Sequence, residues 1–537
     1  MSVSRFGTTL SFLLLATTSA FATNPAVTIA IDATASRHAI NPNIYGVAFA
    51  SKTDLAALNA PLNRMGGNSM TAYNWKQNAT NLAQDWYYES YPQNGGGTPG
   101  AYADSFISDT KAEGAQPMIT IPLAGWVAKL GDNRAILPAF SVKKYGSQCD
   151  VDYWDNDAGD GIKPDCSTDI TGNDPNDAYI PDSTKLERKW LQHLTQTWGK
   201  SKSGGVQYYL MDNEPSIWFS THRDIHPVGP HADEYRDKVI AESASIKKLD
   251  PNAQVVATEE WGWEAYFYSG YDQQYAAEHG YCCWPDHDGM QGGMDYIPWL
   301  LSQWKTAGHP VDVLTVHFYP QGGEDSDDDS QATQLLRNRS TRQLWDPNYT
   351  SESWIDDKVY LIPRMKDWIS SYYYANTPVG ITEYNWGDES HINGATTQAD
   401  IYGIFGREGL DMATRWTVPD SSTPTYKAMQ MYRNYDGANS GFGDTSISAS
   451  APAPDDLSAF AALRKDKTMT VMVVAKDLSG TTPVALQLAH FKKAGTAQVW
   501  RLTASNMIQR MSDIAWSKGK LSDTVPSPSV TLYVLPN

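Results

Sequence analysis

Residues 208–218 read YYLMDNEPSIW. Tyr208 to Met211 have the aromatic and aliphatic bulk of a buried strand, yet Asp212, Asn213 and Glu214 follow at once. Pro215 then closes off any further sheet ladder. A helix-like stretch, DEYRDKVIAESASIKKL (233–249), comes next, and after it a second apolar run that ends in acid, QVVATEE (254–260). Strand, helix, strand in that order is a parallel βα unit. The alternation continues outward on both sides. NRMGGN (63–68), PMITIPL (117–123), VDVLTVHFY (311–319), PVGITEY (378–384) and ATRWTV (413–418) read as strands. TKLERKWLQHLTQTWGK (184–200) and DYIPWLLSQWKTAG (295–308) read as helices between them. About eight such repeats across residues 51–430 predict an α/β fold, the closed (β/α)8 TIM barrel.

The chain ends have a different period. Residues 26–50 alternate as a strand and then turn, with no helical partner. Residues 431–537 hold LSAFAALRKDKTMTVMVVAKDL, TPVALQLAHF, AQVWRLT and SVTLYVL, strands joined by short polar turns. Together they predict a β-sandwich domain built from both chain ends. A length of 537 residues accommodates the two domains.

The first 22 residues carry one cation, Arg5, an apolar run through Ala16 and a small-residue site at Ala20-Phe21-Ala22. This is the pattern of a signal peptide, and it predicts a secreted protein, extracellular or periplasmic. No later stretch is apolar for the ~18 residues a membrane helix needs, so no membrane association is expected once the signal is cleaved. A formal charge of −19 repels phosphate backbones and argues against nucleic acid as a partner. Cys149 and Cys166 bracket an Asp/Gly-rich loop and suit a disulfide in an oxidising compartment. Cys282 and Cys283 are adjacent, and a pair of buried thiols is at least as good a reading of them as a strained vicinal bridge.

In a (β/α)8 barrel the strands' C-terminal ends form the active face. Glu214 ends one strand and Glu383, in VGITEYNW (379–386), ends another. Two carboxyls in one bowl can share the breaking of a glycosidic bond: one donates a proton to the leaving oxygen, the other attacks or activates water. Their neighbours suit the task. Asn213 can hold a sugar hydroxyl, and Tyr319 and Arg64, the latter ending the first predicted strand, can hold Glu383 ionised. His317 can orient groups, and Trp416, on the eighth strand, can floor a sugar ring. With 19 Trp and 30 Tyr the chain has aromatics to spare for stacking on sugars. Trp75, Trp126, Trp218, Trp261, Trp263 and Trp386 all sit near predicted strand ends and are candidates to line a cleft for a polymer.

With these residues, the chain resembles glycoside hydrolase family 44, endo-β-1,4-glucanases and xyloglucanases. The likeness rests on NRMGGNSMTAYNW (63–75), ITGNDPNDA (170–178), MDNEPSIWFSTHRDIHP (211–227), GGMDYIPWLL (292–301) and GITEYNWG (380–387), and extends over roughly 26–535. It implies a retaining double displacement on a polysaccharide with no cofactor for the chemistry. Glu214 matches the family's acid/base and Glu383 its nucleophile. Xylan or mannan as the main substrate is the alternative on the same machinery; a non-catalytic carbohydrate-binding barrel would be expected to lack one of the acids. No protein partner is implied.

Some members of the family carry a structural calcium ion. DVDYWDNDAGDG (150–161) offers Asp155, Asp157 and Asp160 as hard oxygen ligands, although their spacing is not that of an EF-hand. His222 and His226 lie four apart, but Pro227 follows and no H-E-x-x-H is present, so they read as a cleft loop touching substrate rather than a zinc site.

Overall fold

A computed structural model describes residues 22–537 of the chain. The signal peptide read over 1–22 lies, but for Ala22, outside the described residues. Eight parallel strands close into a barrel: Gly46–Ala48, Leu62–Met65, Gln116–Ile121, Tyr208–Met211, Gln254–Glu260, Val313–Phe318, Val379–Tyr384 and Met412–Arg415. They are called strands one to eight below.

Side-chain alternation explains the layers. Tyr208 and Leu210 of strand four join Leu62, Met118, Val256, Val313 and Met412 in a small cluster inside the barrel. Tyr209 and Met211, the alternate positions, belong to the larger core between strands and helices. Helix Thr184–Trp198 starts where the Ser183 side chain accepts the Leu186 N–H, and buries Glu187, Trp190, Leu191 and Leu194 at helical spacing. Helix Ala232–Leu249 buries Tyr235, whose hydroxyl donates to the carbonyl oxygens of Met211 and Thr258 at 3.0 and 2.8 Å. One tyrosine thereby pins the ends of strands four and five, where acids follow.

One expected boundary moves. Residues 26–50 do not all belong to the sheet domain: Val27–Asp32 does, but Gly46–Ala48 is strand one of the barrel. Arg64 therefore ends strand two, not strand one. Three residues are too few to show a period. Gly46 is needed because a Cβ there would lie 2.4 Å from the Ala413 carbonyl oxygen and 2.9 Å from Leu62 Cβ.

In the second domain Val27–Asp32 pairs antiparallel with Thr445–Ser450 and parallel with Thr481–Ala489. Its two faces close over Ile29, Ile31, Val471, Val473, Leu486, Leu521 and Tyr533. Helix Ile392–Glu408 lies between this domain and the barrel. A Cβ on its Gly403 would fall 2.1 Å from the Phe460 ring, and its Asp400 pairs with the buried Lys476 at 3.0 Å. Among the described residues no helix is long and apolar enough to cross a membrane. Cys149 and Cys166 are joined by a disulfide. Cys282 and Cys283 are free thiols and exposed, not buried, because the segment that carries them lies at the surface.

Several acids are buried with a carboxylate oxygen that has no hydrogen-bond partner, among them Asp224, Glu242 and Glu260. Burial pushes them up to about 7, about 7 and about 8. The sign is fixed by linkage: a carboxyl raised on folding stabilises fully below its unfolded pKa, and that contribution is lost as pH rises toward the folded value. The melting temperature is therefore expected to fall from about pH 5 to about pH 8, by more than ~2 °C, in a calorimetric pH series. A rise over that window would contradict the buried, protonated state of these acids.

Candidate active site

Strand four ends in a backbone that a strand does not favour. Asp212 has φ +68° and Glu214 φ +46°, both left-handed, a conformation costing an L-residue about 1–2 kcal/mol. Local bonds hold it. Asp212 accepts from the Thr71 hydroxyl and from the N–H groups of Leu123 and Asn213. The Glu214 N–H donates to the Glu259 carbonyl at 3.0 Å, and Pro215 begins a short 3-10 turn. The result turns the Glu214 carboxylate toward strands six and seven.

Glu383, on strand seven, meets it there. One oxygen of each carboxylate and one nitrogen of His317 lie within 4.8 Å of one another. Arg64 Nη1 donates to Glu383 Oε2 at 2.6 Å, and the Tyr319 hydroxyl donates to Glu383 Oε1 at 2.8 Å. Arg64 Nη2 reaches Asn213 Oδ1 at 2.8 Å, which also accepts the Gly67 N–H, while Asn213 Nδ2 donates to Asn68. His317 Nδ1 faces Glu214 Oε1 at 2.8 Å. Of the charged groups only Glu214 and Glu383 keep exposure, 14% and 9% of their side chains, against 0% for Arg64 and His317. The two acids are therefore the ones an entering molecule can touch.

The charges are set by these contacts. Burial pushes Glu214 above the ordinary carboxyl range, and the hydrogen bond from His317 opposes it. Burial would push His317 down, but the charge of Glu383 and bonds to Glu214 and Glu259 outweigh it and hold His317 at about 9. An acid whose burial favours its protonated form, beside a carboxylate hydrogen-bonded by a guanidinium, is an arrangement suited to proton donation and nucleophilic attack.

Glu259 belongs to the same cluster and was not singled out from the sequence. Its carboxylate, fully buried, lies 3.2 Å from Arg64 Nη2 and 3.3 Å from His317 Nε2, and accepts from the hydroxyls of Thr315 and Thr382. The signal was available, since QVVATEE ends in acid just as YYLMDNE does.

Other expected site residues lie elsewhere. Trp218 is buried at 0% exposure beneath the strand-four turn and donates its indole N–H to the Asn213 carbonyl at 3.2 Å. Trp386 is buried against Phe318 and bonds Ser340, and His222 is wholly buried with both ring nitrogens unpartnered. None of the three lines a cleft; each packs below the loop that carries it. Trp75 bonds Leu186 and lies against His193 on helix Thr184–Trp198, and Trp126 is half-buried in a two-stranded ribbon with Tyr179–Pro181. Trp416 does stand at the site, with the Arg64 guanidinium 5.7 Å from its ring centroid and Phe49 at its edge. His226 bonds Glu234 and Val228.

The acidic loop does not gather its acids as expected. Asp155 accepts the Asp157 N–H, Asp157 accepts from Ser141 and Lys143, and Asp160 accepts from Asp150 and Ile162. Among the described residues these three do not converge on a common point as ligands. Their oxygens are spent on the loop's own turns.

A groove of about 980 Å³ opens beside the acids, with Asp85, Trp86, Tyr88 and Arg223 among its walls. Neither Glu214 nor Glu383 lines it. The link is Asp85, which accepts from Asn68 at 3.2 Å, the same Asn68 that accepts from Asn213. Trp86, 40% exposed, stands on its rim with the more exposed Trp154 tilted against it.

The model of glycoside hydrolase family 44 matches residues 79–322. The crystal structure of CelM2, a bifunctional glucanase-xylanase protein from a metagenome library, is 55% identical with a TM-score of 0.94, over 96% of this chain and 99% of that one. The chain belongs to glycoside hydrolase family 44. This family 44 glycosidase is also similar to a Paenibacillus polymyxa xyloglucanase solved with xyloglucan: 27% identity, TM-score 0.78, 96% of this chain and 100% of that one. Endoglucanase A of Paenibacillus lautus is 29% identical over 544 residues, 95% of this chain and 72% of that protein.

Proposed function

We propose that the enzyme is a secreted, endo-acting hydrolase that cleaves β-1,4-glucan backbones, xyloglucan and soluble cellulose, with retention by double displacement. Glu214 is the acid/base and Glu383 the nucleophile. In the first step Glu383 attacks the anomeric carbon while Glu214 gives its proton to the leaving oxygen. In the second, Glu214, now a carboxylate, takes a proton from water as that water displaces Glu383. Arg64 and Tyr319 hold the attacking carboxylate in place, Asn213 faces the sugar, and Trp416 forms the platform beside it.

The observation that carries this reading is that one oxygen of Glu214 lies within 4.8 Å of one oxygen of Glu383, leaving the carboxyl groups close together across the barrel mouth. Retaining enzymes hold theirs about 5–5.5 Å apart, whereas inversion needs about 6.5–9.5 Å to seat a water. The relatives support the substrate class: one acts on xyloglucan, another is an endoglucanase. A second reading, xylan as a further substrate, is favoured by the glucanase-xylanase at 55% identity. Export is supported by the disulfide between Cys149 and Cys166, which suits an oxidising compartment.

The calcium ion that some members carry would be held differently from the sequence expectation. Glu89 and Asp152 are both buried, and each has a carboxylate oxygen with no hydrogen-bond partner. Burial, then the charges of Asp152 and Asp155, push Glu89 up to about 7. A hard cation would neutralise that pair and brace the loop; it has no part in bond cleavage.

One experiment tests both parts. Purified enzyme is incubated with xyloglucan, carboxymethylcellulose, xylan and mannan, following viscosity against reducing ends, and the first anomer released is read by proton NMR. A fast viscosity loss on the glucans with β product formed first is expected. Initial α product would overturn retention, and inactivity on all glucans would overturn the substrate class.

A further inference from the structure

Glu259 has no part in the mechanism above, yet it is tied to two groups that do. It sits on strand five with no exposure, so no substrate atom reaches it. We propose that Glu259 is a positioning residue: a buried carboxylate, set between Arg64 and His317, that keeps His317 an imidazolium and steers Arg64 between Asn213 and Glu383. The proposal deepens the retaining reading and rests on it for the roles of Glu214 and Glu383.

The geometry supplies the reason. Glu259 Oε2 lies between Arg64 Nη2, 3.2 Å away, and His317 Nε2, 3.3 Å away. Its other oxygen is filled by the hydroxyls of Thr315 and Thr382, from strands six and seven. Four donors on one carboxylate favour its charged form, and although burial opposes it, Glu259 is held below the ordinary glutamate range. Its neighbour Glu260 turns to Ser216 and is pushed up by burial to about 8, the opposite direction to Glu259.

Charge balance then gives the consequence. His317 is faced by Arg64 from strand two, Glu214 from strand four, Glu259 and Glu260 from strand five and Glu383 from strand seven. The Tyr266 hydroxyl bonds its carbonyl oxygen, and Tyr319 follows two residues on. The carboxylates of Glu259 and Glu383 lie against the cations Arg64 and His317, so Glu214 is not needed as a counter-charge and can hold its proton. Once Glu214 has donated that proton, the His317 Nδ1–H faces a new carboxylate at the same 2.8 Å contact. A neutral residue at 259 would leave His317 without its buried counter-charge. Nε2 would lose its proton, and the carboxylate left on Glu214 would lose part of its stabilisation.

The test is a histidine titration in the intact enzyme. Imidazole nitrogens are labelled with ¹⁵N, and His317 is assigned by its loss in His317→Asn. In the wild type His317 is expected to remain imidazolium through about pH 8; in Glu259→Gln its midpoint falls by at least about one unit. The same variant should lose about 10-fold or more in kcat with KM little changed, and Glu259→Asp, which keeps the charge, should hold the midpoint. A folded Glu259→Gln enzyme whose His317 midpoint is unmoved overturns the proposal. So does a wild-type His317 that is neutral at about pH 7, a result that does not depend on Glu259→Gln folding. Failure of the retaining reading would show instead as α product released first by the wild type, with the His317 titration as expected.

Discussion

Glu383→Gln is expected to abolish hydrolysis of polymer and aryl β-glucoside alike, by about 10⁴-fold or more in kcat/KM, because no nucleophile remains to open either reaction. The amide preserves the shape of the side chain: its oxygen can accept from Arg64, 2.6 Å from one native carboxylate oxygen, and its NH2 can donate to the Tyr319 hydroxyl oxygen, 2.8 Å from the other. The variant should therefore fold, which circular dichroism and the melting temperature would check. Loss of rate without loss of fold assigns the chemistry to this carboxylate. Substantial activity on either substrate would remove Glu383 from the nucleophile role. The cost of the charge change is real, since an unpaired buried cation costs about 3–5 kcal/mol, but Arg64 keeps Glu259 at 3.2 Å.

Glu214→Gln should behave differently, and the difference is diagnostic. Hydrolysis of the polymer, whose leaving sugar needs a proton, is expected to fall by about 10²–10⁴-fold. An aryl glycoside with an acidic phenol needs no proton to leave, so its first step survives. Its second step, which needs a base to activate water, becomes slow. A burst of phenol followed by a slow steady rate is the expected trace, and a small anion such as azide should speed the slow phase by attacking without base assistance. Equal losses on the two substrates, with no burst, would sink the acid/base role. The two variants thus separate the acids, although both carboxylates lie in one contact cluster.

Much of this was legible beforehand, and the reason is local. A strand that ends in an acid, followed by a helix of period 3.6, is written in consecutive residues. Helices read at 184–200, 233–249 and 295–308 stand at Thr184–Trp198, Ala232–Leu249 and Tyr296–Thr306. The illegible parts were short or non-local. Strand one, Gly46–Ala48, shows no period, and its glycine is explained only by the Ala413 carbonyl oxygen 2.4 Å from where a Cβ would be. Tryptophans near strand ends looked alike in sequence; Trp416 stands beside Arg64, while Trp218 and Trp386 are buried. Asp155, Asp157 and Asp160 looked like ligands by composition, yet the loop's own N–H groups had first claim on their oxygens.

The sequence by itself determined the barrel, the sheet domain and the strand ends at which Glu214 and Glu383 stand, because each is fixed by the spacing of side chains along one strand or helix. Tertiary structure alone decided that Glu214 and Glu383, 169 positions apart, come within 4.8 Å, and that Glu259 lies beneath them as a third, hidden charge. Distances across a barrel and the burial of a side chain are set by strands two, four, five, six and seven together, and no single stretch of chain contains them.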